Sequence, residues 1–304
     1  MLFRRRARAL PAVLLLAGCF ASNTVRGRDE NVRPTFRVGV DTVFVHVAVA
    51  DGANRHVDDL TRENFRVFEN SVEQTVTHFI REDAPVSVGV LLDSSRSMRD
   101  NFRTSREAVI RLLEPDAAED EFFVLSFNQQ ARLLQGFTRD PTNVRKAVRS
   151  IHPRGRTAFH DAVRLGILEM AAARNPKKAL VLITDGEDNS SRHSAEEIRS
   201  LAGECTAQIY AIGERKGLSS GRAAIQSLSD LTGGRAFFPE SLAELDAYIE
   251  LIRAELSHEY VLGYVPAVKP TGREWRNVQV RLAGVEGRAK LSVRASRGYF
   301  TAKR

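Results

Sequence analysis

The early part of the chain alternates between apolar and other residues, which predicts β-strands. In the stretch VFVHVAVA, valines stand at every second position until a turn follows. The stretch NFRVFENSVEQTVTHFI then reads as a hairpin with Asn70 and Ser71 near its tip. We therefore predict a small β unit over residues 36–83, in which His46 and His78 are strand side chains rather than ligands.

The pattern changes after residue 83, where the apolar runs become continuous. VSVGVLLD, FFVLSFN, ALVLITD and AQIYAIG have the composition expected for parallel strands that are covered on both faces. Helical signals separate these runs: apolar spacing after Ser97 and from near Thr157, a cap at Asp140 before Pro141, and capping boxes at Ser194 with Glu197 and at Ser241 with Glu244. This alternation predicts an α/β fold with a doubly wound, mainly parallel sheet over residues 84–256.

Three further strands are predicted near the C-terminus, from YVLGYV, NVQVRLA and KLSVRAS. They form a C-terminal β extension over residues 257–304. Neither this extension nor the N-terminal β unit would bury much apolar area alone. We therefore expect the two to combine in one small sheet or sandwich beside the parallel sheet.

The first residues have the order of an export signal. Four arginines, Arg4, Arg5, Arg6 and Arg8, precede the apolar run ALPAVLLLAGC, which is too short to span a bilayer. Its end resembles the lipobox of bacterial lipoproteins, in which Cys19 is acylated, so we predict a signal peptide over 1–19 and a polar tether over 20–35. The expected location is the cell envelope, with contact to the membrane only through this anchor. Cleavage a few residues later, with plain secretion, is the alternative.

The charge of the chain depends on this leader. The formal net charge is +7, and removing four arginines and no acids with residues 1–18 leaves 7 − 4 = +3. That value is too small to indicate nucleic-acid binding. If Cys19 carries a lipid, Cys205 is the only thiol that remains and no intrachain disulfide can form. Because Cys205 stands just before an apolar strand, we interpret it as a packing residue.

Oxygen-bearing side chains collect where predicted strands end. In VGVLLDSSRSM, Asp93 ends a buried strand and Ser95 and Ser97 follow; Thr157 begins a helix after a glycine-containing loop, and Asp185 ends another buried strand. Ligands of such sheets bind at the carboxyl ends of the strands, where the strand order reverses. Two carboxylates and three hydroxyls are hard donors, which favour Mg²⁺ over zinc and leave positions for water or another ligand.

The order and approximate spacing of DSSRS, the GRTA threonine and the strand-terminal Asp-Gly resemble the metal-ion-dependent adhesion site of von Willebrand factor type A domains. The flanking stretches DLTRENFRVFENSVEQTVTHF and YVLGYVP extend the similarity to bacterial VWFA-related-domain proteins. The resemblance implies a Rossmann-like domain that holds Mg²⁺, or Mn²⁺ or Ca²⁺, directly or through water. The implied ligands are Asp93, Ser95, Ser97, Thr157 and Asp185.

The resemblance also implies a function. In such domains a carboxylate from a partner protein fills the open position on the metal, so we expect a non-enzymatic, protein-binding role. Arg96 departs from the family, in which small residues are common at this position. Arg96, Arg99, Arg154 and Arg156 are expected around the rim of the site, where their charges would favour an acidic ligand; solvated arginines without such a role are the alternative.

Two classes of enzyme and a scaffold protein without a functional site are alternatives to this interpretation. A haloacid-dehalogenase-type phosphatase also uses Mg²⁺ at a strand end, but it needs a second aspartate where this chain has Ser95. A serine hydrolase would need Ser95 with His160 and Asp161, and Ser95 does not stand in a Gly-x-Ser-x-Gly elbow. The third alternative is a scaffold with a non-functional metal site, against which the presence of all five ligand types argues.

Overall fold

The computed structural model describes residues 42–53, 55–81, 84–114, 118–184, 187–213, 219–240, 244–285, 287 and 290–301. All of them belong to one unit, Val40–Arg304. The predicted signal peptide, Cys19 and the tether lie outside these residues, and so does Asp185. None of the helices within the described ranges is both long and apolar enough to span a bilayer.

The strands follow each other along the chain as β1 (Val43–Ala50), β2 (Phe65–Glu69), β3 (Val72–Gln74), β4 (Val76–Ile80), β5 (Val86–Asp93), β6 (Glu121–Phe127), β7 (Ala131–Thr138), β8 (Lys177–Thr184), β9 (Gln208–Gly213), β10 (Ala236–Phe237), β11 (Tyr260–Tyr264), β12 (Trp275–Leu282), β13 (Ser292–Ala295) and β14 (Gly298–Phe300). The helices are α1 (Phe102–Leu112), α2 (Pro141–Arg149), α3 (Phe159–Met170), α4 (Ala195–Ala202), α5 (Ser219–Thr232) and α6 (Leu245–Ser257).

The central sheet has the strand order β10-β9-β8-β5-β6-β7, and only β7 runs antiparallel to its neighbour. Helices cover both faces: α1, α2 and α6 pack with Val90 and Val124 on one face, and α3, α4 and α5 pack with Leu91 and Leu125 on the other. The predicted doubly wound, mainly parallel sheet is therefore confirmed. Covering both faces explains the continuous apolar runs, since each fully buried side chain of this size stabilises the fold by about 1.5–3 kcal/mol.

Local capping signals place several helices as predicted. The Asp140 carboxylate accepts a hydrogen bond from the Thr142 N–H at 2.8 Å, with Pro141 in the first turn of α2. Ser194 and Glu197 bond each other reciprocally at the start of α4. Helix α6 begins at Leu245, and Ser241, the predicted cap, lies outside the described residues. Four elements, β7, β10, β14 and α5, were not predicted.

The N- and C-terminal strands combine in two four-stranded antiparallel sheets, β13-β1-β11-β4 and β14-β12-β2-β3. They enclose a third core, which includes Val47, Phe65, Tyr260 and Val280. The expected union of the two terminal segments is therefore present in the structure. One detail differs, because β2 and β3 form the hairpin while β4 crosses to the other sheet and pairs with β11.

The turn of that hairpin explains its sequence. Asn70 and Ser71 both have positive φ, 47° and 68°. Two consecutive residues of this kind match the backbone twist of a tight hairpin, and asparagine tolerates the conformation better than most residues.

Candidate metal centre

The candidate site lies at the point where the strand order of the central sheet reverses. From β5 the chain adds β6 on one side and β8 on the other, so β5 and β8 are neighbours although they are far apart in sequence. Asp93 is the last residue of β5, and Thr184 is the last residue of β8. Such a crevice at the carboxyl ends of parallel strands is the usual ligand position of this architecture.

Asp93 is a fully buried carboxylate that neighbouring donors hold in place. Its Oδ1 accepts the backbone N–H of Ser95 at 2.8 Å, and its Oδ2 accepts the hydroxyl of Thr184 at 2.8 Å. The first bond closes a turn that directs the chain away from the strand, and the second joins β5 to β8. Both offset the penalty of removing a carboxylate from water.

The loop after β5, residues 94–97, is called the first loop, and its two serines have adjacent side-chain oxygens. Ser95 is buried, Ser97 is exposed in a short 3₁₀ turn, and their hydroxyl oxygens are 2.9 Å apart. Two ligands at right angles on an octahedral Mg²⁺, with bonds of about 2.0–2.1 Å, stand about 2.9 Å apart. The spacing therefore suits a hard cation as well as a hydrogen bond between the hydroxyls.

The loop that carries Thr157 is tied to the loop that carries the serines. The backbone N–H of Arg154 donates to the carbonyl of Ser94 at 2.7 Å, and the N–H of Arg96 donates to the carbonyl of Gly155 at 3.1 Å. Gly155 has φ +80°, a conformation that favours glycine. Thr157 is buried at the end of this loop. The structure thus places Asp93, both serines and Thr157 on neighbouring loops; metal coordination by them stays a prediction.

Sequence reasoning missed the residues that fix the loop after β8. Asn189 and Thr157 bond each other twice: the Thr157 N–H donates to the Asn189 Oδ1 at 2.9 Å, and the Asn189 N–H donates to the Thr157 carbonyl at 3.0 Å. This pair brings the segment that follows Asp185 directly against a predicted metal ligand.

Two histidine–carboxylate pairs hold the same segment against the first turn of α3. The Nδ1 of His160 lies 2.6 Å from the Asp188 Oδ2, which also accepts the His160 backbone N–H at 3.0 Å. The Asp161 Oδ1 accepts the His193 N–H and lies 2.7 Å from the His193 Nδ1. We call these four residues the histidine clasp. The only signals for it in the sequence are the His-Asp pair in α3 and the polar run after Asp185.

The clasp changes the acidity of both carboxyl groups. Burial opposes ionisation of Asp188, but hydrogen bonds from His160 and Ser191 hold the pKa of its carboxyl well below the ordinary value. Burial likewise opposes ionisation of Asp161, and hydrogen bonds from His193 and Arg192 lower the pKa of its carboxyl. Both carboxylates are therefore ionised at neutral pH and stabilise the fold in that form.

These contacts bear on the hydrolase alternative. A triad would need Asp161 to orient His160, but Asp161 is paired with His193 and His160 is paired with Asp188. The base and the orienting acid of that mechanism are thus engaged with other partners.

The four rim arginines are all exposed and lie on the loops of the site. They differ in what they bind. The Arg156 guanidinium donates to the Asn189 carbonyl, which ties it to the loop after β8. Within the described ranges, no hydrogen bond or ion pair engages the guanidinium groups of Arg96, Arg99 and Arg154. Those three arginines differ in this respect from Arg156.

No group of three or more His, Cys, Asp or Glu side chains able to hold a metal occurs among the residues that the structure describes. The side-chain oxygens that the structure describes near the carboxyl ends of the strands include those of Asp93, Ser95, Ser97 and Thr157, and the fifth predicted ligand, Asp185, lies outside the described residues. That donor set is hard and suits Mg²⁺.

Comparison with known proteins identifies the central domain. Residues 88–187 match the family model of the von Willebrand factor type A domain. No curated protein matches the chain. A solved von Willebrand factor type A structure from Catenulispora acidiphila is 15% identical, with a TM-score of 0.51, over 86% of this chain and 74% of that one.

A second solved structure is that of proximal thread matrix protein 1 from the mussel byssus, with a zinc-occupied MIDAS motif. It is 22% identical, with a TM-score of 0.51, over 64% of this chain and 50% of that one. This chain therefore spans half the length of the mussel protein. At such identities the two structures show a shared fold. The assignment of a von Willebrand factor type A domain rests on the family match and extends over residues 88–187.

Proposed function

We propose that this protein is a non-enzymatic binding module that holds Mg²⁺ at the carboxyl edge of its central sheet and binds an acidic group of a partner protein there. Von Willebrand factor type A domains are typically interaction modules rather than enzymes. The observation that carries the proposal is the geometry of the first loop: a buried carboxylate at the strand reversal, followed by two hydroxyl oxygens 2.9 Å apart.

The proposed ligands come from three loops: Asp93, Ser95, Ser97, Thr157 and Asp185. When bound, the metal supplies a positive charge and an exchangeable position that a carboxylate can fill. The zinc-occupied MIDAS motif of the mussel protein supports a divalent cation at this place in the fold. We prefer Mg²⁺, with Mn²⁺ and Ca²⁺ as alternatives, because all five side chains are oxygen donors.

The exposed guanidinium groups of Arg96, Arg99 and Arg154 would strengthen the preference for an acidic partner. Charges at the rim of an interface act mainly on the rate of association and on the choice of partner. Arg156 would contribute less to the partner and more to the position of the loop after β8, because its guanidinium bonds the Asn189 carbonyl.

We further propose that the domain works outside the cytoplasm, anchored through Cys19. The basic, apolar and small-residue order of the first residues supports this location. A Cys19→Ser substitution that leaves the protein in the membrane fraction would contradict the lipid anchor.

Thermal unfolding of the full chain with Mg²⁺ or with EDTA tests the proposed function. A ligand that binds only the folded state at 100 times its Kd stabilises it by about 2.7 kcal/mol, so the wild type should melt at a higher temperature in Mg²⁺. Asp93→Ala and Ser97→Ala should lose this response, whereas the matched control Asp230→Ala, on α5, should keep it. No response of the wild type to Mg²⁺, Mn²⁺ or Ca²⁺ would indicate a non-functional site, and turnover of a phosphomonoester would favour an enzyme.

A further inference from the structure

A cavity lies near the amino ends of the parallel strands of the central sheet. Its volume is about 320 Å³, within the range of ligand sites, and it is bordered by β1, by β14 and by Cys205 and Thr206. These two residues stand just before β9 begins, at the amino ends of the parallel strands, whereas Asp93 lies at the carboxyl ends. The cavity is thus separate from the candidate metal centre.

The residues of β1 show how the cavity lies against that strand. Thr42, Val43, Phe44, Val45 and His46 all line it. Successive side chains of a strand point to opposite faces, so a cavity over one face would be lined by every second residue. Five lining residues in a row indicate that the cavity runs along the edge of β1.

The strand pairing explains why this edge is open. On one side β11 pairs with β1 from Val43 to Val47, but on the other side β13 pairs only from Val47 to Ala50. Among the described residues, no strand continues the β13 side past Val47. The chain leaves β1 at Ser296, which also lines the cavity. The cavity therefore occupies the place that further residues of β13 would have taken, and we call it the β1 slot.

The opposite wall of the β1 slot is apolar and firmly held. Phe300 and Leu231 line it, and the Phe300 N–H donates to the Gly203 carbonyl at 2.7 Å. Tyr299 also lines it, and its hydroxyl donates to the buried Glu69 carboxylate at 2.8 Å. That carboxylate bonds Tyr264 and Arg276 as well. A buried network of this kind fixes the wall before any ligand arrives.

The β1 slot has an exposed apolar side chain in its lining. Phe44 lines the slot and is 41% exposed, and Val265 and Val268, near the lining residue Pro266 in sequence, are 40% and 59% exposed. An accessible apolar lining along an open strand edge has the two features that strand addition uses: main-chain hydrogen bonds for affinity and apolar pockets for side chains.

We propose that the β1 slot binds an extended peptide segment of a partner protein, which adds as a strand to β1 along residues 43–46. Four residues of strand span about 13 Å. The peptide would extend the sheet in line with β13 and place β-branched apolar side chains against Phe300 and Leu231. The backbone hydrogen bonds of the peptide would continue the existing ladder between β1 and β13. Binding at this site does not depend on the metal-dependent function proposed above.

Hydrogen exchange tests the proposal on the full chain carrying Cys19→Ser, in which Cys205 is the only thiol. The probe is a short peptide of alternating valine and threonine flanked by lysines, and its control carries N-methyl groups on alternate backbone nitrogens. The unmethylated probe should slow exchange of those amides in 43–46 that point away from β11 about tenfold and slow alkylation of Cys205, while the control should do neither. Equal protection by both peptides, or by neither, would overturn strand addition.

Variants separate the β1 slot from unspecific binding. Thr206→Trp adds a large side chain at an exposed lining position and should abolish both effects of the probe. Val72→Trp, at an exposed position on β3 outside the slot, should leave them unchanged. Undiminished binding by Thr206→Trp would contradict the assignment. Binding that becomes measurable only after deletion of residues 20–41 would show that this chain fills the slot itself, and the proposal of a partner peptide would fall.

Discussion

Two loops of the candidate metal centre are built in different ways. The loop after β5, residues 94–97, is shaped by its own side chains, since Asp93 bonds the Ser95 N–H and Ser95 contacts Ser97. The loop after β8, residues 187–193, is held by α3 through the histidine clasp and through Thr157. The turn of the first loop rests on bonds that are local in sequence, with two further backbone bonds to Arg154 and Gly155. The clasp that holds the second loop joins residues distant in sequence, and it can be loosened without touching any proposed ligand.

The largest loss in the free energy of unfolding is expected when the histidine clasp is broken. Asp188→Ala leaves the half-buried His160 N–H and ring without their acceptor, and an unsatisfied buried group costs about 1–3 kcal/mol, so we expect a loss toward the lower end of that range. Urea denaturation should show this loss in the free energy of unfolding. Asp230→Ala, which removes a carboxylate from an ion pair that is more exposed, is the control and should change it little. An unchanged free energy for Asp188→Ala would mean that the clasp does not hold the loop.

The pH dependence of the stability of Asp188→Ala tests whether the ionised carboxylate holds the loop after β8. Because the folded pKa of Asp188 lies below the ordinary carboxyl value of about 3.9, its stabilisation is fully present above that value and is lost as the pH falls toward the folded pKa. The difference in stability between wild type and Asp188→Ala should therefore be largest near pH 5 and shrink toward pH 3. A difference that stays constant over this range would show that ionised Asp188 is not its source.

A smaller loss of stability is expected from a substitution at Gly155, where the loop of Thr157 contacts the first loop. Gly155→Ala places a side chain at φ +80°, and its Cβ would stand 1.7 Å from the present position of the Gln129 Oε1. The Gln129 side chain can move, so the lasting cost is the backbone conformation, about 1 kcal/mol. Gly136→Ala is the matched control, since a Cβ there meets nothing within 4 Å. Chemical denaturation measures the difference in stability between Gly155→Ala and Gly136→Ala. Equal stabilities of the two variants would contradict the expected cost of the backbone conformation.

The smallest effect on stability should come from Ser97→Ala. Ser97 is exposed, and such surface substitutions usually change the free energy of unfolding by less than about 0.5 kcal/mol. In Mg²⁺, however, the variant should lack the stabilisation that the wild type gains. Parallel melting curves with and without Mg²⁺ measure both quantities. A large loss of stability in EDTA would show that Ser97 acts mainly in the fold.

The sequence predicts what depends on local signals. Continuous apolar runs gave β5, β6, β8 and β9, because strands covered on both faces need apolar residues at every position. Caps at Asp140 and Ser194 gave the starts of two helices. The first loop was also readable, since its carboxylate and hydroxyls stand within five residues.

What escaped prediction depends on contacts distant in sequence or on weak patterns. The bonds of the clasp join residues 28 and 32 positions apart, and no local rule pairs them. Strand β7 is an edge strand with exposed Leu133 and Leu134 and an irregular register against β6, so it lacks the alternation of a half-buried strand. Helix α5 did carry a signal, an apolar stripe of Ile225, Leu228 and Leu231.

The central claim is that the carboxyl edge of the sheet binds a divalent cation through Asp93 and its neighbouring hydroxyls. Isothermal titration of Mg²⁺ into the full chain, with Asp93→Ala checked for its fold by circular dichroism, tests it most directly. The account predicts binding at a single site in the wild type and none in the folded variant. Equal binding by both proteins, or none by the wild type with Mg²⁺, Mn²⁺ or Ca²⁺, would contradict it.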